Sequence, residues 1–132
     1  MQAESPTVID TTLPRIPSCG TLARRFVAQS LAPAPDAAAL GDIEVVVSEL
    51  AENAYLHGHG RIDLRLEVDR SRVRVEVSDE GDGASEVLKQ REQGPYGLGL
   101  TVVDELSTAW GAYHGSTHVW AEIQAERRGT RN

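Results

Sequence analysis

Cysteine occurs once, at Cys19, which excludes an internal disulfide framework and suits a reducing compartment. Aromatic residues are scarce, at 5% of the chain, and Trp110 and Trp120 read as core or interface residues rather than a base-stacking platform. Basic charge is short as well: 13 Lys and Arg stand against 20 Asp and Glu. The net charge of -7 argues against direct contact with a nucleic-acid backbone, although a single bound nucleotide needs only local positive potential. No apolar run approaches the ~20 residues of a membrane span. The opening MQAESPTVID lacks the basic-then-apolar order of a secretory leader, so a cytoplasmic protein with no membrane partner is expected. Internal repeats and low-complexity tracts are also missing. What remains is an ordinary globular composition over 132 residues, and 1–132 is expected to form a single domain that buries roughly two-thirds of its unfolded surface.

The chain punctuates itself into elements. Residues 1–13 read as an N-terminal arm with a short strand from Ser5 to Leu13, in which Ile9, Thr11 and Leu13 share a side. Ser18 can cap a helix with Leu22, Phe26, Val27 and Leu31 inward and Arg24 and Arg25 outward. Pro33 and Pro35 make APAPDAAALG a linker. A long helix from the cap Asp42 to Gly58 or Gly60 follows. Residues 61–68 and 72–78 alternate strictly, with Ile62, Leu64, Leu66 and Val73, Val75, Val77 inward, and are joined by a tight turn at Asp69–Ser71. They predict an antiparallel hairpin. Residues 84–96 are polar and lack a clear period, which predicts a mobile loop. A further amphipathic stretch carries Leu100, Val102, Val103 and Leu106 and closes at Trp110 and Gly111. Thr117 to Ala125 alternates as a last strand, with either face available for burial, and 126–132 is a charged tail that should fray.

The long helix organises the rest. At ~100° per residue, Ile43, Val46, Val47, Leu50 and Ala54 share one face, which must be buried. Glu49, Asn53 and His57, each four residues after the last, form a second stripe along the edge of that face, where a core meets a cleft. Taken alone, such a stripe is compatible with a solvated helix flank.

Two glycine-rich segments follow. Asp79-Glu80-Gly81-Asp82-Gly83 places a carboxylate at a strand end before two glycines, which let the backbone turn sharply and approach a flat ligand. Gly97-Leu98-Gly99-Leu100 opens a helix, where free N–H groups and the helix dipole favour phosphate. By themselves these are an acidic turn and a hinge. No G-K-[ST] follows, so this is no P-loop, and Pro95 with no preceding Rossmann strand excludes a dinucleotide fingerprint. Together the three segments have the chemistry that ATP with Mg²⁺ requires. Asn53 offers a neutral oxygen to a hard ion that keeps several waters. Glu49 can take a proton from an attacking hydroxyl. Asp79 can accept from the adenine amine, the glycines of 97–100 can cradle phosphates, and the segment between the glycine boxes lies where a lid would close.

ELAENAYLHG, SDEGDG and GPYGLGL resemble, in order and separation, the N box and two glycine boxes of the Bergerat-fold (GHKL-type) ATPases. VVSELAENA, VEVSDEGDG, GLGLTVVDELSTAWG and HVWAEI resemble one branch in particular, the stand-alone bacterial anti-sigma factor serine kinases. The resemblance covers residues 14 to 125. It implies an α+β two-layer sandwich, a mixed and mostly antiparallel sheet with helices on one face and ATP between. Carried over, Glu49 is the catalytic base, Asn53 the Mg²⁺ ligand and Asp79 the adenine contact. Gly81 and Gly83 line the base pocket, Gly97, Leu98, Gly99 and Leu100 hold the phosphates, and His57 stands at the rim. The family's last strand carries a threonine beside adenine. Aligning on Val119-Trp120 puts His118 there and Thr117 one residue early, and Thr117 is the candidate. The lid's basic residue is either Lys89 or Arg91. The implied partners are a sigma factor, which is sequestered, and an anti-sigma factor antagonist, which is phosphorylated; homodimers are common in this branch.

Two other readings compete with a kinase. One is a regulatory binding module that holds ATP without phosphotransfer. The other is a zinc protein using the spacings of His57 with His59 and His114 with His118, against which Gly115 interrupts the second pair. A hydrolytic triad has no support, since no serine sits in a strand–turn–helix elbow.

Overall fold

The computed structural model describes residues 6–31, 36–94, 99–113 and 117–125. Five strands make one sheet: β1 (Thr7–Leu13), β2 (Ile62–Val68), β3 (Arg72–Asp79), β4 (Ala109–Tyr113) and β5 (Thr117–Gln124). Their order is β1-β2-β3-β5-β4. Every pairing is antiparallel, where a mixed sheet was expected. The helices are α1 (Cys19–Leu31), α2 (Ala37–His57), α3 (Ala84–Gln93) and α4 (Leu100–Leu106). They cover one face of the sheet, giving an α+β fold of two layers.

Alternation decides which sheet face is covered. Ile62, Leu64 and Leu66 of β2, Val73, Val75 and Val77 of β3, and Val119, Ala121 and Ile123 of β5 are all buried. Against them lie Ile43, Val46, Val47, Leu50 and Ala54, the apolar face read from the α2 sequence. Each fully buried Leu, Ile or Val here stabilises the fold by about 1.5–3 kcal/mol relative to an exposed one. The β2–β3 turn is tied by Asp69, whose Oδ1 accepts from the amides of Ser71 at 2.9 Å and Arg72 at 3.0 Å. Those two bonds hold its carboxyl below the ordinary carboxylate range.

Three expectations are corrected. The cap of α2 is Asp36, not Asp42: Asp36 Oδ1 accepts from the Ala39 amide at 2.8 Å. The alanines after it are strong helix formers, so much of the expected linker is the first turn of α2. Residues 84–93 are α3 rather than a mobile loop, because no Gly or Pro interrupts them and Ala84 and Val87 supply a short buried stripe. Trp110 and Gly111 do not end a helix; α4 stops at Ser107, and both residues lie in β4. Gly111 pairs with Trp120, and a Cβ there would come within 3.1 Å of the Trp120 ring, so a glycine inside the strand marks a close approach rather than a stop. The tail 126–132 lies outside the described residues.

Candidate functional site

The last three turns of α2 lie above the ends of β3 and β5, with α3 and α4 closing the sides. Between them is a cavity of about 200 Å³. Leu50, Ala54, Val77, Val87 and Val119 give it apolar walls, and its few polar groups converge from distant parts of the chain. Asn53 and His57 come from α2, Asp79 from β3, Gly83 and Glu86 from the start of α3, Leu100 from α4 and Thr117 from β5. An apolar pocket with a handful of directed polar groups is the usual form of a small-molecule site.

Asp79 is one of the polar groups of the lining. Its side chain is buried, with 5% exposure. Oδ1 accepts from the Gly81 amide at 2.7 Å and the His59 amide at 3.3 Å. Oδ2 faces Gly58, where any Cβ would overlap it. Gly81 therefore stands behind the carboxylate as a donor rather than in the cavity wall. Its carbonyl accepts from the Thr117 amide at 3.0 Å. Thr117 sits across from Asp79 in the β3–β5 register, is buried, and its Oγ1 accepts from the Gly83 amide at 2.7 Å. His118, the alternative position, points to the other side of the sheet, with Nδ1 at 2.7 Å from Glu76 Oε2. The threonine in the cavity is therefore Thr117.

Glu49 lies one turn of α2 before Asn53 and is half-buried. It does not line the cavity; it meets Gly99, whose φ of 69° is left-handed and whose Cβ would overlap Glu49 Oε1. Only glycine allows the chain to run this close to the carboxylate. Burial raises the Glu49 pKa above the ordinary glutamate value, the neighbouring Glu52 raises it further, and Arg24 opposes both. From Glu49 to His57 the helix rises about 12 Å, a length that suits one end for a base and the other for a terminal phosphate.

Other expected residues fall elsewhere. Gly97 and Leu98 lie outside the described residues. Arg91 places its guanidinium 5.7 Å from the centre of the Trp110 ring, turned away from the cavity, and Lys89 is exposed. His114 is outside the described residues, and among those described no three His, Cys, Asp or Glu converge as metal ligands. No described helix is long and apolar enough to cross a membrane. Sequence reasoning missed Gly58, read only as a helix stop, and Glu86 and Val87, hidden by reading α3 as a loop. The spacing of Ala84, Val87 and Leu88 at helical intervals was the available signal.

Comparison with known proteins agrees with this architecture. Serine-protein kinase RsbW of Bacillus subtilis is 38% identical over 71 residues, a stretch that is 50% of this chain and 44% of that protein. RsbW of Bacillus velezensis is 37% identical over 71 residues with the same shares. The matches thus take in less than half the length of these relatives. The crystal structure of the RsbU and RsbW domains of Rv1364c from Mycobacterium tuberculosis superposes with a TM-score of 0.65 at 22% identity, over 89% of this chain and 32% of that one, a likeness of fold. Residues 17–123 match the histidine kinase-like ATPase domain, and the chain belongs to that family.

Proposed function

We propose that the chain is an ATP-dependent serine/threonine protein kinase and anti-sigma factor, which sequesters a sigma factor and phosphorylates an anti-sigma factor antagonist. The observation that carries the reading is Asp79: a buried carboxylate in the lining of an apolar cavity, with one oxygen bonded by two amides and the other close beside Gly58. That is the acceptor an adenine 6-amino group needs. The RsbW relatives are named serine-protein kinases, which supports the same chemistry.

Each residue then has a task. Asp79 accepts from the adenine amine beside Thr117, with Gly83 lining the base pocket and Gly81 bracing the carboxylate from behind. His57 stands at the rim, and Gly97, Leu98, Gly99 and Leu100 hold the phosphates. Asn53 would hold Mg²⁺ through its neutral side-chain oxygen, and the ion would offset charge on the phosphates. Glu49 receives the proton of the attacking hydroxyl. That oxygen forms its bond to the γ-phosphorus while the bond from phosphorus to the bridging oxygen breaks, and the electron pair leaves with ADP.

The test is incubation with γ-labelled ATP, Mg²⁺ and a candidate anti-sigma factor antagonist from the same genome. Wild type should transfer label to a serine or threonine of the antagonist, and Glu49→Gln should lose transfer by about 10²-fold or more while still binding ATP. ATP binding without any phosphoprotein would instead make the chain a regulatory module. Label transfer undiminished in Glu49→Gln would remove Glu49 from the chemistry.

A further inference from the structure

Arg15 has no part in the motifs, yet it joins two segments that frame the cavity. It lies in Pro14-Arg15-Ile16-Pro17, a turn tightened by the Ile16 amide donating to the Pro14 carbonyl at 3.0 Å. Two prolines fix φ on either side, so the arginine leaves the backbone in a defined direction. Its Nε donates to the Gly60 carbonyl and its Nη1 to the Tyr55 carbonyl, both at 2.8 Å. The Tyr55 carbonyl belongs to the last turn of α2, where carbonyls lack helical partners and a cation is favoured. Gly60, at φ 72°, belongs to the connection from α2 to β2.

That connection is bonded on its other side to the β3 end. The His59 amide donates to Asp79 Oδ1, the Glu80 amide donates to the His59 carbonyl at 2.7 Å, and the Arg61 amide donates to Glu80 Oε1 at 2.9 Å. Residues 58–61 are therefore fastened between Arg15 and residues 79–80. Arg15 Nη2 is buried without a hydrogen-bond acceptor among the described residues.

Resting on the ATP reading above, we propose that Arg15 is a positioning residue: by clamping Tyr55 and Gly60 it holds the 58–61 connection so that the Asp79 carboxylate keeps its aim at the amine of the base. Lysine replaces it only in part, because a compact ammonium lacks the rigid planar fork that meets both carbonyls at once.

Wild type, Arg15→Met and Arg15→Lys are titrated calorimetrically with Mg·ATP and with Mg·purine riboside triphosphate, which lacks the 6-amino group. Wild type should prefer ATP by about tenfold or more, the effect of one charge-assisted hydrogen bond. Arg15→Met should bring that ratio towards one with analogue affinity held within about twofold, and Arg15→Lys should do so in part. Equal losses for both nucleotides, or an unchanged ratio, would overturn the proposal. Where Arg15→Met does not fold, Arg15→Lys carries the test. If wild type binds neither nucleotide, the ATP reading fails, and amide exchange decides the positioning role separately. The His59 and Glu80 amides should then exchange about tenfold faster in the variant with Val75 unchanged, and unaltered rates at His59 and Glu80 would sink it.

Discussion

At the scale of single residues, Glu49 carries opposed demands. Its pKa is raised in the folded chain, so the folded state holds this proton more tightly than the unfolded one. Ionised Glu49 therefore lowers stability at neutral pH, and the penalty disappears as pH falls below the ordinary glutamate range. Glu49→Gln should melt slightly higher than wild type at pH 7, with the difference vanishing at acid pH; calorimetry at several pH values reads this. With Glu49 as the proposed base, the acid limb of phosphotransfer should also lie above the range of an exposed glutamate, because a protonated carboxyl takes no further proton. Gly99→Ala acts on the same carboxylate from the other side. The left-handed φ makes a side chain cost about 1–2 kcal/mol, and its Cβ displaces Glu49. Phosphotransfer should fall more than ATP affinity, a split that single-turnover kinetics separates from binding. Both residues were legible in the sequence, Glu49 from four-residue spacing and Gly99 from its motif. Arg15 was not, because its partners are backbone carbonyls 40 and 45 residues away, which no side-chain pattern encodes.

At the scale of elements, local signals succeeded where packing and period agree. β2 and β3 alternate without exception, and the turn between them has an Asp that bonds two amides. Leu66→Ala, in the middle of β2 and fully buried, should lower unfolding free energy by about 2–5 kcal/mol in urea titration. Asp36→Ala should lower it by about 1 kcal/mol, the loss of a helix cap. The elements misread were those whose stabilising partners are remote. α3 is mostly polar and shows its short buried stripe only against the sheet. β4 contains a glycine that looks like a terminator until the Trp120 ring is seen lying against it.

At the scale of the whole molecule, one sheet face is buried under helices and the other carries a charge network. Arg74 stacks 4.4 Å over the Trp120 ring, lies over and bonds Tyr113, and pairs with Glu76 and Glu122. Arg74 is partly buried, so its cation–π contact should add about 1 kcal/mol beyond the ion pairs. Arg74→Ala should reduce stability by about that much and leave Mg·ATP affinity unaltered, because the cavity opens on the opposite side of the sheet. Thermal shift with and without nucleotide measures both: ligand stabilisation by mass action, about 2.7 kcal/mol at a hundred times Kd, should persist in Arg74→Ala and fall to about half or less in Asp79→Asn, in which the proposed bond to the base is lost. The two-layer arrangement came from the family resemblance, while alternation in β2 and β3 and the apolar face of α2 marked which of their sides are buried. What brings β5 between β3 and β4 was not, since strand order depends on long-range pairing that local pattern does not reach.

A Cβ on Gly58 would overlap Asp79 Oδ2, so the end of the helical roof meets the β floor here with no room for a side chain. That gap is gauged by a hydrogen atom. A methyl group added at this position would act as a wedge, prising roof from floor at the Asp79 side of the cavity.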